Sequence, residues 1–309
     1  MVNRLRQRAP ARPGALILGA LAVALWSGST VAEKVLLSRM PPVTLLAWQL
    51  AVSVALLWSA LLLLRTDIPG ARAWLRLGWP GLLQPGLANL LLLLGLSLTQ
   101  ASTFSLLNSC EAVLGLLFAR AMLGERVGRP VAVLAGLATL GVILVALGER
   151  DVGQGNSALG VLLVLGGTVL AALYGVVSRP AASAPGAQPL LLTALHQTLG
   201  LAAVLCAWGL ALERGEGTLV RGISLSIWGW AALAGVFQYA LPFWLFLLAL
   251  RSLSASAVSL LFMLGPVFVL IGAFLVLGET LTPVQGWGAA LTLASLAALG
   301  AWQGRGAPS

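Results

Sequence analysis

The sequence predicts an all-α integral membrane protein: ten transmembrane helices arranged as two inverted five-helix repeats. Three observations predict it. The 309-residue chain is 59% hydrophobic and only 9% charged, against about 25% charge in a soluble domain. Ten apolar runs each come close to the ~20 residues that cross ~30 Å of hydrocarbon. The two halves of the chain also match each other at fixed offsets.

So few charges cannot cover a water-soluble fold, whereas lipid accepts an apolar outer surface. The net charge of +9 sits in short gaps between apolar runs and forms no basic stripe of the kind nucleic acid requires. No nucleic-acid partner is therefore expected. Cys110 and Cys206 both fall inside apolar runs. They read as small packing residues and show no disulfide or metal spacing.

In order, the runs are 14–32, 43–64, 78–98, 101–120, 130–148, 158–178, 189–211, 227–250, 254–276 and 284–302. Thr99-Gln100 and Arg251-Ser252-Leu253 are gaps so short that they predict tight helical hairpins. The first run follows Arg4, Arg6, Arg8 and Arg12 and ends at Thr30-Val31-Ala32, which has the look of a signal peptide. Its counterpart in run six argues that it is retained as a span. With a cytoplasmic N-terminus, the inner gaps hold 13 of the 18 Lys and Arg, which places both termini inside. Trp58, Trp74, Trp79, Trp208, Trp228, Trp230, Trp287 and Trp302 lie near run ends, as in an interfacial aromatic belt.

Sliding the sequence by 154 positions puts Trp74 on Trp228, Gly81 on Gly235 and Gln84 on Gln238. The same shift puts Ala101-Ser102 on Ala255-Ser256, Ser105-Leu106-Leu107 on Ser259-Leu260-Leu261, and Leu123-Gly124-Glu125 on Leu277-Gly278-Glu279. A shift of 148 covers the first two runs of each half, matching Gly19 with Gly167, Pro41 with Pro189 and Gln49 with Gln197. Five spans per half is an odd number, so the second half enters the membrane from the opposite side. Inverted repeats of this kind supply a physical basis for alternating access. The expected organisation is an N-terminal cytoplasmic tail (1–13), a first repeat (14–148), a connecting loop (149–157), a second repeat (158–302) and a C-terminal tail (303–309).

The stretch Leu98 to Gly148, with Gly124-Glu125 after an apolar helix, resembles an EamA domain. So does Leu250 to Gly300, with Gly265-Pro266 followed by Leu277-Gly278-Glu279. Two such domains in tandem, over nearly the whole chain, resemble the drug/metabolite transporter superfamily. That resemblance implies ten helices in inverted halves and export of amino acids and other metabolites, or movement of sugars and related solutes. The chain departs from the family pattern at Gln49 and Gln197, where members often carry Arg, and at Ala112, which stands where the second half has Pro266.

Polar groups within a span are costly and mark wet interiors. Glu111 is the one carboxylate near mid-span. Proton coupling and attraction of a substrate amine are two readings of it, and a hydrogen-bonded tie between helices is a third. Glu33 lies near the outer end of run one, where an interfacial location and a pore role are both open. Gln84 and Gln238, matched by the repeat, are candidates to line a cavity or to bond between helices, and Asn89 and Asn108 share that ambiguity. His196, the single histidine, is a candidate for binding or pH sensing, or a satisfied interior group. Trp26 and Tyr174 coincide in the 148 shift and are candidates for an aromatic cavity wall suited to apolar or cationic solutes, or for ordinary packing. Tyr239, Trp244 and the helix-bending Pro242 are weaker candidates. Glu125 and Glu279 follow glycine at helix ends and read as structural.

No HExxH, GxSxG or nucleotide-binding motif is present in the sequence. An enzyme, a cofactor and direct ATP drive are not expected. The expected partners are a small-molecule substrate, with protons as a candidate coupling ion, and the lipid bilayer of a bacterial inner membrane; oligomeric state is open. A membrane-embedded enzyme or a non-transporting scaffold is the alternative reading.

Overall fold

The computed structural model describes residues 13–124, 129–147, 156–213, 220–253 and 261–305. Glu125, Arg126, Arg150, Arg214, the start of run nine and its matches Ala255-Ser256 and Ser259-Leu260 lie outside the described residues. Every described element is helical. The first half contains α1 (Pro13–Leu37), α2 (Pro42–Leu63), α3 (Ala71–Gly78), α4 (Ala88–Ser97), α5 (Ala101–Asn108), α6 (Cys110–Leu123) and α7 (Arg129–Leu147). The second contains α8 (Ala158–Ala182), α9 (Pro189–Ala211), α10 (Leu225–Gly235), α11 (Leu241–Leu250), α12 (Gly265–Gly272) and α13 (Pro283–Arg305).

Among the described residues, six helices are long and apolar enough to cross a membrane. Ala71–Gly78 and Leu82–Ser97 make a seventh if counted as one span bent by 48°. A second irregularity follows inside the Leu82–Ser97 segment. Pro85 lacks a backbone donor and drives the preceding residue out of the helical region; Gln84 accordingly has φ −147° and ψ 127°. Runs five and ten appear as α7 and α13, which pack along each other. Large apolar side chains such as Leu63, Leu225, Leu275 and Trp287 cover the outside, as lipid allows and water does not. The chain is a multi-pass membrane protein.

Helix ends follow the sequence. Pro42 and Pro189 occupy the first turns of α2 and α9, where a missing N–H costs nothing. Ser157 caps α8 by accepting from the Gly160 amide at 2.9 Å. Gly124 and Gly278 both adopt the left-handed conformation, with φ 67° and 66°. That conformation closes a helix and favours glycine. Glu279 then reaches into the first half, where its carboxylate accepts from the amides of Ala101 and Ser102, each at 2.8 Å, and from the Ser102 hydroxyl at 2.7 Å. It caps α5, in line with the structural reading.

Packing between the halves is reciprocal. Helix α1 packs on α11 and α12, and its counterpart α8 packs on α4 and α6. Helix α2 meets α9, and α7 meets α13. The bent segment after α3 lies on α9, while the matching segment after α10 lies on α2. At these crossings the matched glycines do the same work. Gly81 faces the backbone of His196, and Gly235 faces the backbone of Gln49. A side chain at either position would hold the helices apart.

Trp230 and Trp287 are exposed near helix ends, as an interfacial belt requires. Trp58 and Trp208 are half-buried instead. Their indole N–H groups donate to Thr198 and Thr44, both at 2.9 Å, because a neighbouring hydroxyl on the facing helix satisfies them inside the bundle.

Candidate functional site

A cavity with about 910 Å³ of empty space, the part open to the outside included, lies where the two halves meet. Helix α1 contributes Val23, Trp26, Ser27, Thr30 and Glu33. Their spacing of three or four residues sets them on one helical face. Ser27 and Thr30 return their hydroxyls to the carbonyls of Val23 and Trp26, at 2.8 and 2.9 Å, which satisfies them within the helix.

Seven of the eight candidate residues line this cavity: Trp26, Gln84, Asn89, Asn108, Glu111, Tyr174 and Gln238. The extended backbone at Gln84 takes that side chain out of the helical row, and its amide donates to Asn89 Oδ1 at 3.3 Å. Gln84 sits in a kinked stretch, Leu82–Leu87, and Gln238 in a short stretch of π-helical backbone, Val236–Ala240; irregular helical turns of this kind are frequent at functional sites. The two stretches coincide under the 154 shift. Asn108 accepts from the Thr168 hydroxyl at 2.9 Å and faces Glu111 at 3.5 Å. That second contact is at the outer limit of a hydrogen bond. Among the described residues, Asn108 is the one hydrogen-bond partner of Glu111.

His196 is the exception. It is fully buried but does not line the cavity. Its Nε2 lies 2.9 Å from the Leu77 carbonyl and its Nδ1 lies 3.0 Å from the Tyr174 hydroxyl. A carbonyl can only accept, so Nε2 carries the proton and Nδ1 accepts from Tyr174. Both ring nitrogens are spent on holding neighbours, one of them a cavity residue.

The structure adds residues that sequence reasoning ranked low or missed. Glu33 is buried in the cavity wall, not at the interface. It accepts from the Tyr239 hydroxyl at 3.1 Å and from Gln238 Nε2 at 3.2 Å. Burial of this carboxylate is possible because donors arrive from the other half of the chain. The stripe Trp26-Ser27-Thr30-Glu33 was a readable signal, since four polar or amphipathic residues at helical spacing rarely face lipid. Phe246 and Phe262 also line the cavity. The Trp26 ring meets Phe243 edge-on at 5.2 Å, Phe246 at 5.7 Å and stacks on Phe262 at 5.5 Å, while Tyr174 stacks on Phe246 at 6.0 Å. The Trp26 indole N–H donates to the Gln238 carbonyl at 2.9 Å.

Behind the cavity, Gln197 accepts from Ser53 at 3.1 Å and donates to the Tyr239 carbonyl at 3.0 Å. Its match Gln49 is fully buried.

The repeat extends to the lining itself, but its chemistry diverges. Under the 154 shift Asn108 corresponds to Phe262, Glu111 to Gly265 and Leu92 to Phe246, and all six line the cavity. At these matched positions the first half places Asn108 and Glu111 where the second places Phe262 and Gly265.

The EamA-like transporter family model matches the sequence twice, over residues 13–147 and 158–301. A solved crystal structure 18% identical to this chain superposes with a TM-score of 0.66, covering 96% of this chain and 100% of the other. That likeness bears on the fold alone. No curated protein matches. With the two tandem matches spanning most of its length, the chain belongs to the EamA-like transporter family.

Proposed function

We propose that the chain is a secondary transporter that moves a small metabolite by alternating access, exporting amino acids or related compounds across a bacterial inner membrane. In this reading its ten helices form two inverted repeats, both termini are cytoplasmic, and the substrate crosses between the halves. The observation that carries the reading is the polar-lined cavity at the meeting of the halves, reached by matched residues from each. A non-transporting scaffold has no use for two carboxylates inside the bilayer, where each charge is costly. The reciprocal packing supports it as well, because two halves that interlock by equivalent contacts can exchange conformations at little net cost. Family membership points the same way.

The test is a flux screen in proteoliposomes over amino acids, sugars and amphipathic cations, with and without a proton gradient. Saturable flux of at least one class is expected. No flux of any class from well-folded protein overturns the proposal. Where flux depends on pH, Glu111→Gln is expected to abolish that dependence; unchanged pH dependence removes Glu111 from proton coupling.

A further inference from the structure

We infer that the cavity selects a small amphipathic amine, its ammonium at Glu111 and its apolar body against the aromatic wall, and that it disfavours solutes bearing a carboxylate. The inference rests on the transport reading of this cavity and revises its substrate class, from amino acids to amines without a carboxylate.

The charges decide the sign. Both ionisable groups of opposite-charge interest to a ligand, Glu33 and Glu111, are acidic. Among the described residues, no Lys, Arg or His lines the cavity. Two basic groups adjoin the lining, Lys34 next to Glu33 in sequence and His196 against Tyr174, and both are committed elsewhere. The Lys34 ammonium is bonded to the carbonyls of Leu96 and Thr99, and both nitrogens of His196 are engaged by Tyr174 and Leu77. A substrate carboxylate would be partly desolvated with no countercharge, which is unfavourable.

The hydrogen bonds agree. The cavity amides already direct donors to protein acceptors: Gln84 to Asn89, Gln238 to Glu33 and Asn108 to Glu111. Each of these amides keeps a second N–H, and acceptors stand open beside them. Gln238 Oε1 is buried without a partner, and the Glu111 carboxylate has one long contact from Asn108. An ammonium brings three donors and no acceptor. Glu33 differs from Glu111 in that each of its oxygens already accepts a short hydrogen bond, so the more open carboxylate is Glu111.

The shape of the lining supplies the rest. Phe262 and Gly265 stand where the repeat would place counterparts of Asn108 and Glu111. With Trp26 and Phe246, Phe262 forms a wall of rings that takes an apolar body and, through its π faces, also favours a nearby cation.

A matched ligand series isolates charge: phenethylamine, phenylalanine and 3-phenylpropanoate share a body and differ in ammonium and carboxylate. Binding to the purified full-length protein by calorimetry, and flux in proteoliposomes, are measured for each. Phenethylamine is expected to bind at least tenfold more tightly than phenylalanine, and 3-phenylpropanoate not to saturate. Glu111→Gln, checked for folding by thermal unfolding, is expected to weaken phenethylamine at least tenfold. Phenylalanine or 3-phenylpropanoate bound and moved as well as phenethylamine overturns the amine preference and leaves the transport reading standing. So does a protein that ignores the whole series while moving another solute. Unchanged phenethylamine affinity in folded Glu111→Gln overturns the placement of the ammonium. Absence of flux for these and every other solute class overturns both readings.

Discussion

The crossing of the bent third span with α9 depends on a missing side chain, and Gly81→Ala tests it. A Cβ built on Gly81 falls 1.9 Å from the His196 carbonyl oxygen and 2.5 Å from both its carbonyl carbon and its Cα. Ordinary contact needs about 3.5 Å, so the two backbones must separate by roughly 1.5 Å. Neither is a flexible side-chain end that could swing aside. Overpacking of this kind costs about 1–3 kcal/mol, and the upper end applies here. Separation also stretches the His196–Leu77 hydrogen bond, 2.9 Å long, worth about 1 kcal/mol. The better helix propensity of alanine returns at most about 1 kcal/mol. The net expectation is a loss of about 3 kcal/mol. Gly235→Ala, the repeat-related change, meets the Gln49 backbone at 2.8 Å and needs a smaller shift, so its loss is about 1 kcal/mol. Gly229 is exposed on α10 with nothing near its Cβ direction, and Gly229→Ala is neutral or stabilising by up to about 1 kcal/mol. Reversible unfolding of the full chain in mixed micelles reads the order: Gly229→Ala at or above wild type, then Gly235→Ala, then Gly81→Ala. Wild-type stability in Gly81→Ala would refute the close crossing and the reasoning built on it.

Two further changes separate structure from transport. Glu279→Ala removes three short hydrogen bonds to the start of α5 and is expected to cost about 2 kcal/mol, the upper range for a lost helix cap; the same unfolding assay checks it, and no loss would contradict the capping role. His196→Ala strands the buried Tyr174 hydroxyl and Leu77 carbonyl, which costs about 2–4 kcal/mol, while the KM of transport by the surviving protein stays within about twofold; a large KM change at intact stability would put the ring in the binding site.

Much of the site was legible because a membrane makes polarity conspicuous. Glu111, Gln84, Gln238, Asn89 and Asn108 stood out against Leu and Ala, and all five line the cavity. His196 stood out equally and does not, because rarity marks a group that needs partners without saying whether those partners are protein or ligand. Glu33 was underestimated for the opposite reason. Position near the end of a run suggests water, and only the donors from Tyr239 and Gln238, over 200 residues away in sequence, make a buried carboxylate tenable there.

The sequence by itself determined the membrane class, the helical content, the repeat and the paired glycine caps, since each depends on composition or on contacts within a few residues. Sequence offsets also carried the pairing of Trp26 with Tyr174 and of Gln84 with Gln238. Only the tertiary structure decided how those pairs are used. A break between Gly78 and Leu82 bent the third span, the reciprocal crossings brought both halves around one cavity, and the hydrogen bonds sorted the polar residues into those already satisfied and those left open. Whether a buried group is free to meet a ligand depends on every atom packed against it. Those atoms come from helices far apart along the chain, so no window of sequence contains them.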